Sequence, residues 1–293
     1  MKGKLLIAFI LFIHVANGQG NFMVYQMKGE VKATVNNQNK SIKIGQLLKA
    51  TSSLFIGKGS SVILICDNYN PFTIKTTGTY ILSGFIDSCD KGSYSLASGY
   101  FKYMWRQLTH TERSPGEDRR NFMRNTGAVV RGYPCSEINL DPLFDTVNNC
   151  NENVRVHWKT NLPSAKVYIE CYDAEKDGSL LYRTTAPGNY IMTDSIKRYA
   201  RGNEIVYWNF VVDGKEICNR KLVHFWKKRD YTTYISEIKK EIPLGMGEAE
   251  TFFTTGFLLE SNHFFAEAKE FYQKAVRLNN REKRYQQALA DLK

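Results

Sequence analysis

The 293-residue chain carries a formal charge of +11, with 43% hydrophobic and 24% charged residues. That balance excludes a disordered or low-complexity chain. Beyond the N-terminal leader, no apolar run approaches the roughly 20 residues that a helical membrane span requires, so the expectation is two or three small domains.

Residues 1–18 read as a secretory leader. Lys2 and Lys4 precede the apolar run Leu5–Val15, and Ala16-Asn17-Gly18 supply small residues for cleavage. The first cysteine after the apolar run is Cys66, so a lipid-anchored N-terminus is not expected. The chain is therefore expected in the periplasm or at the cell surface, not as a lipoprotein. Export sets nucleic acid aside as the partner of so basic a chain. It leaves an acidic protein face or an anionic envelope surface. Export also favours disulfides among Cys66, Cys89, Cys135, Cys150, Cys171 and Cys218, for which 15 pairings exist. Neighbours in sequence suggest Cys66–Cys89, Cys135–Cys150 and Cys171–Cys218.

Segments 23–35, 40–50, 61–67, 72–77 and 79–84 alternate apolar and polar residues as short strands do, with turns at Asn36-Asn37 and Gly57–Ser61. Gly29-Glu30-Val31, Gly45-Gln46-Leu47-Leu48, Leu54 and Gly57 leading into Ser61-Val62-Ile63-Leu64, and Gly78-Thr79-Tyr80 occur in an order and spacing that resembles the FecR domain. The resemblance implies an exported all-β module over 19–92 with a habit of binding. The anti-sigma segment and membrane helix of the iron-uptake regulators that carry this domain have no counterpart, so their regulatory role is not implied.

Residues 93–111 place Tyr94, Phe101, Met104, Trp105 and Leu108 on one helical face, expected to pack on a domain. Residues 112–126, with Pro115, Gly116 and mixed charges, read as an exposed linker. Over 127–230, short strands recur at regular spacing and Asp177-Gly178 and Asp213-Gly214 provide hairpin turns. This pattern resembles an immunoglobulin-like or fibronectin type III-like sandwich, with Trp158 and Trp208 as core plugs. Residues 231–293 turn helical, with breakers at Pro243 and Gly245.

Within that tail, Phe252, Gly256, Leu259, Ala268, Tyr272 and Ala275 fall at offsets that resemble one tetratricopeptide repeat. The chain departs from the pattern at His263, where Gly is usual, and at Asn280, where Pro is usual. The resemblance implies a helical hairpin that binds other proteins, with Glu250, Phe253, Phe257 and Glu260 on its concave side. The expected fold class is thus multidomain, mainly β followed by an all-α tail.

No catalytic constellation emerges. His110, His157, His224 and His263 lack metal-ligand spacing, and no nucleophile elbow or phosphate loop is present. The expectation is a non-enzymatic protein without cofactor or metal that binds or scaffolds another envelope protein. Lys227, Lys228, Arg229, Arg281, Lys283 and Arg284 could steer an acidic partner. The alternative is a glycan- or peptidoglycan-binding module using Tyr69, Tyr80, Tyr94 and Trp105 as stacking surfaces.

Overall fold

The computed structural model describes residues 21–35, 38–89, 97–109, 119–124, 138–150, 153–160, 167–185 and 188–292. The leader, Asn36-Asn37, Tyr94, His110 and Cys135 lie outside them. A β-rich N-terminal region is followed by a helical C-terminal region, and no described helix is long and apolar enough to cross a membrane.

The first region consists of β1 (Asn21–Lys28), β2 (Val31–Val35), β3 (Gln38–Ser41), β4 (Leu47–Lys49), β5 (Ser53–Ile56), β6 (Ser61–Cys66), β7 (Pro71–Ile74) and β8 (Gly78–Ile81). They form two antiparallel sheets, ordered β4-β1-β6-β7 and β3-β2-β5-β8. Alternation sends Phe22, Val24, Leu48, Leu54, Val62 and Leu64 into a core between them. The opposite faces of β1 and β6 present Met23, Tyr25, Ile63 and Ile65 to the helices. Pairing of β1 with β6 slips between Val24 and Gln26. That irregularity at Tyr25 is a means of re-aiming a side chain. A disulfide joins Cys66 to the end of α1 (Ile86–Cys89) across a separation of 23 residues. In the chain-entropy account a loop of this size contributes about 3 kcal/mol.

The second region contains β9 (Ile138–Leu140), β10 (Thr146–Asn149), β11 (Arg155–Thr160), β12 (Tyr168–Tyr172), β13 (Leu180–Thr185), β14 (Tyr190–Met192), β15 (Ile205–Val212), β16 (Lys215–Glu216) and β17 (Lys221–Phe225). One sheet is ordered β10-β17-β15-β12-β13, with β16 on β15, and the other β14-β11-β9. Trp158 and Trp208 are buried, both against Phe210, at ring separations of 4.8 and 5.2 Å. Asp213 and Gly214 both take positive φ (49° and 75°), as a two-residue type I′ turn requires.

Two expected disulfides are absent. Cys171 is a free thiol on β12, buried in the sandwich, and burial pushes its pKa up to about 12. Cys218 is disulfide-bonded, but not to Cys171. It lies in the connection after β16, and β15 stands between β12 and β17. Cys150 is also free, which removes the Cys135–Cys150 pair; its backbone N–H donates to Glu267 Oε1 at 2.8 Å.

The helices are α2 (Ser98–Thr109), α3 (119–124), α4 (Thr193–Tyr199), α5 (Lys228–Glu241), α6 (Glu248–Ser261), α7 (Phe265–Leu278) and α8 (Lys283–Asp291). Helices α6 and α7 form an antiparallel hairpin. At its turn His263 adopts φ 63°, the left-handed conformation that glycine takes most easily. Histidine is among the residue types enriched there. The exposed-linker expectation fails over 119–124, because Arg119, Phe122 and Met123 are buried. Their spacing of three and four puts all three on one helix face, so the segment packs as an amphipathic turn.

At Gly256, α6 and α7 approach closely. A Cβ there would lie 2.8 Å from the Tyr272 ring and 3.1 Å from the Ala268 carbonyl oxygen. Gly256→Ala gains about 1 kcal/mol of helix propensity but costs about 1–3 kcal/mol in overpacking. Tyr272 is fully buried and tied to Glu260 at 2.6 Å, so the clash dominates. A net loss of up to about 2 kcal/mol is expected in urea unfolding, and a more stable variant would refute this account.

Candidate functional site

The four residues expected to face a partner instead bind the chain to itself. Phe253 and Phe257 are each 0% exposed and Glu260 is 2% exposed. Phe257 meets Tyr100 and Tyr103 of α2 and Phe122 of α3 at ring separations of 5.2, 5.0 and 5.5 Å. Phe253 lies between Tyr100, Tyr272 and Tyr285. The occupants of this face of the hairpin are therefore α2, α3 and α8 of the same chain. A binding role for Glu250, Phe253, Phe257 and Glu260 would require those helices to leave.

Both carboxylates are satisfied internally. Glu250 accepts from Tyr25 at 2.6 Å, from Tyr100 at 2.5 Å and from Tyr285, and faces Arg284 at 3.4 Å. Burial alone would raise its pKa, yet Arg284 and the three phenols outweigh burial and hold it below the ordinary range. The phenols of Tyr25 and Tyr100 are pushed well above 10, first by burial and then by Glu250, and so remain donors. Glu260 pairs with Arg119 and accepts from Tyr272, while Arg119 also reaches Asp291 at 2.5 Å. Arg284 is thus spent inside the fold and does not steer a partner.

The other expected surface groups scatter. Lys227 pairs with Glu204 and Arg229 with Asp230, both in exposed positions. Lys228 is exposed on α5, Arg281 in the turn after α7 and Lys283 at the start of α8. Among the stacking candidates, Tyr69 and Trp105 do meet, edge to face at 6.0 Å with Lys102 nearby. Tyr80 packs away from them on Phe85. His157 and His224 each rest on their own ring partner, Phe144 and Trp226. Among the described residues, no three His, Cys, Asp or Glu side chains cluster as a metal site.

A different site lies between the smaller sandwich sheet and the helical tail. It is a cleft of about 880 Å³, walled by β11 and α7 and lined also by Arg119, Glu260 and Asp291. That volume falls in the upper part of the range for ligand sites, about 300–1,000 Å³. Strand β11 builds one wall by simple alternation. Val156 and Trp158 point into the sandwich, and Arg155, His157 and Lys159 point out. Arg155 stacks on Tyr190 at 4.0 Å, which fixes the guanidinium plane and leaves its edge for hydrogen bonding. Helix α7 supplies Lys269, Glu270 and Gln273. Arg124 and Arg120 at the rim are paired with Asp141 and Asp291, at 3.2 and 3.3 Å. Arg155, Lys159 and Lys269 have no carboxylate within ion-pair distance among the described residues.

Sequence reasoning reached the strand but missed its outward face. The signal was present in the alternation Arg155-Val156-His157-Trp158-Lys159, where every second residue is cationic or imidazole. No family model matches the chain, and no curated protein matches it.

Proposed function

We propose that this chain is an exported, non-enzymatic binding protein of the cell envelope that holds another envelope protein in the cleft between sandwich and tail. In this reading the N-terminal region is a FecR-like domain, the middle an immunoglobulin-like sandwich and the tail a tetratricopeptide-like hairpin with flanking helices. The protein acts in the periplasm or at the cell surface. The observation that carries the reading is the set of three cations, Arg155, Lys159 and Lys269, on two walls of one cleft and without carboxylate partners among the described residues. Uncompensated like charges facing a shared space repel one another, and an acidic ligand relieves that repulsion. The hairpin's concave side contributes by locking the tail to the rest of the chain, which keeps the cleft's walls in register.

A photo-cross-linker tests the site directly. With p-benzoylphenylalanine in place of Gln273, illumination in envelope extracts should give a discrete protein adduct. The same probe in place of Lys49, on a remote strand, should give none. Adding Lys159→Glu and Lys269→Glu should abolish the adduct. Equal labelling from both positions, or none from Gln273, would sink the proposal.

A further inference from the structure

We infer that the cleft recognises a short, extended acidic peptide segment whose carboxylates lie on alternate residues. This rests on the binding role proposed above and names the chemistry of the ligand. Arg155, His157 and Lys159 occupy successive outward positions of one strand. Outward residues on a strand repeat about every 6.6–6.8 Å. An extended peptide lying along β11 repeats its own same-side side chains at that interval. Carboxylates on every second residue therefore match the basic ladder without adjustment of either backbone. Lys269 on α7 provides a cation from the facing wall.

The sign pattern favours a peptide over a uniformly charged polymer. Glu270, also on α7, has no cation within ion-pair distance among the described residues. A polyanion filling the cleft would meet Glu270 as repulsion. A peptide offers backbone N–H groups to that carboxylate and carboxylate side chains to the opposite wall. The apolar lining, Phe144 against Phe265 at 5.2 Å, suits intervening apolar side chains. Glycan stacking is less suited, because the ring of Phe144 already lies against both His157 and Phe265.

The test is fluorescence anisotropy on the full chain with a fluorescein-labelled hexapeptide of alternating Glu and Leu. Peptides with Gln or Lys in place of Glu serve as comparisons. Only the acidic peptide should bind, and its affinity should fall as salt rises from 50 to 200 mM. Arg155→Ala with Lys159→Ala should weaken binding about tenfold. Both side chains are exposed, so circular dichroism should be unchanged. Lys58→Ala with Lys75→Ala, exposed lysines on the N-terminal region, should leave binding unaltered. Equal binding of the three peptides, indifference to the β11 variant, or variant-sensitive binding of heparin without binding of the acidic peptide would each overturn the inference. A photo-adduct at Gln273 without peptide binding refutes only the ligand chemistry. Peptide binding without an adduct refutes only the envelope-protein role.

Discussion

Truncating Phe257 to alanine should lower the unfolding free energy by about 3–5 kcal/mol, the cost of removing a buried phenylalanine. The side chain is fully buried and touches rings from two other helices. Deleting it leaves Tyr103 and Phe122 facing a void that α2 cannot close without dragging Tyr100 from Glu250. The core here joins β1, β6, α2, α3 and the tail, so the damage spreads across regions. Urea unfolding followed by tryptophan fluorescence checks this, with Phe257→Leu as the milder comparison. If alanine costs less than about 1 kcal/mol, the face is not the packed seam described above. The Phe253→Ala, Phe257→Ala double variant is consequently a folding variant and cannot serve to remove a partner from an intact surface.

Replacing Arg119 with methionine should be comparably severe, again about 3–5 kcal/mol. The side chains of Arg119 and Glu260 are each 3% exposed, and that of Asp291 is 10% exposed. Methionine fills much of the space but strands Glu260 without a cation in a poorly solvated site and leaves Asp291 only the exposed Arg120. Breaking one side of a buried pair is worse than removing both. Arg119→Met with Glu260→Leu should therefore be more stable than Arg119→Met alone, even though Tyr272 then loses its acceptor. If the double variant is as unstable as the single, the penalty comes from lost packing and not from stranded charge. Exposed pairs such as Lys240–Glu237 should contribute at most about 1 kcal/mol by contrast.

What could be read from the chain was what repeats locally. Alternation located the strands, three- and four-residue spacing located α2, and small residues marked the approach of α6 to α7. What escaped was everything decided by distant segments. The concave side of the hairpin was legible as a surface, but two of its three occupants, α2 and α3, come from far earlier in the chain, as the Tyr100–Glu250 bond illustrates with a separation of 150. Arg284 reads as a solvent cation in a basic run, and only tertiary structure sets it beside Glu250. Cys171 and Cys218 look like partners by order along the chain, whereas strand order puts β15 between their regions. The cleft draws its cations from β11 and α7, separated in sequence by the rest of the sandwich and by α5 and α6.

The turn at His263 has a consequence for how the protein behaves among copies of itself. On β10 and just past its end, the N–H groups of Asn148 and Cys150 point away from β17. The His263 carbonyl takes the first at 3.0 Å, and Glu267 takes the second at 2.8 Å. The Asn148 side chain adds a bond to the Asn262 carbonyl at 2.7 Å. An edge strand with vacant donors is a template on which another chain's strand can grow. Here the helical tail fills those vacancies from within, so this border of the sandwich is closed to pairing with a second molecule. The tail thereby removes this border as a place where another strand could add, a task independent of any ligand.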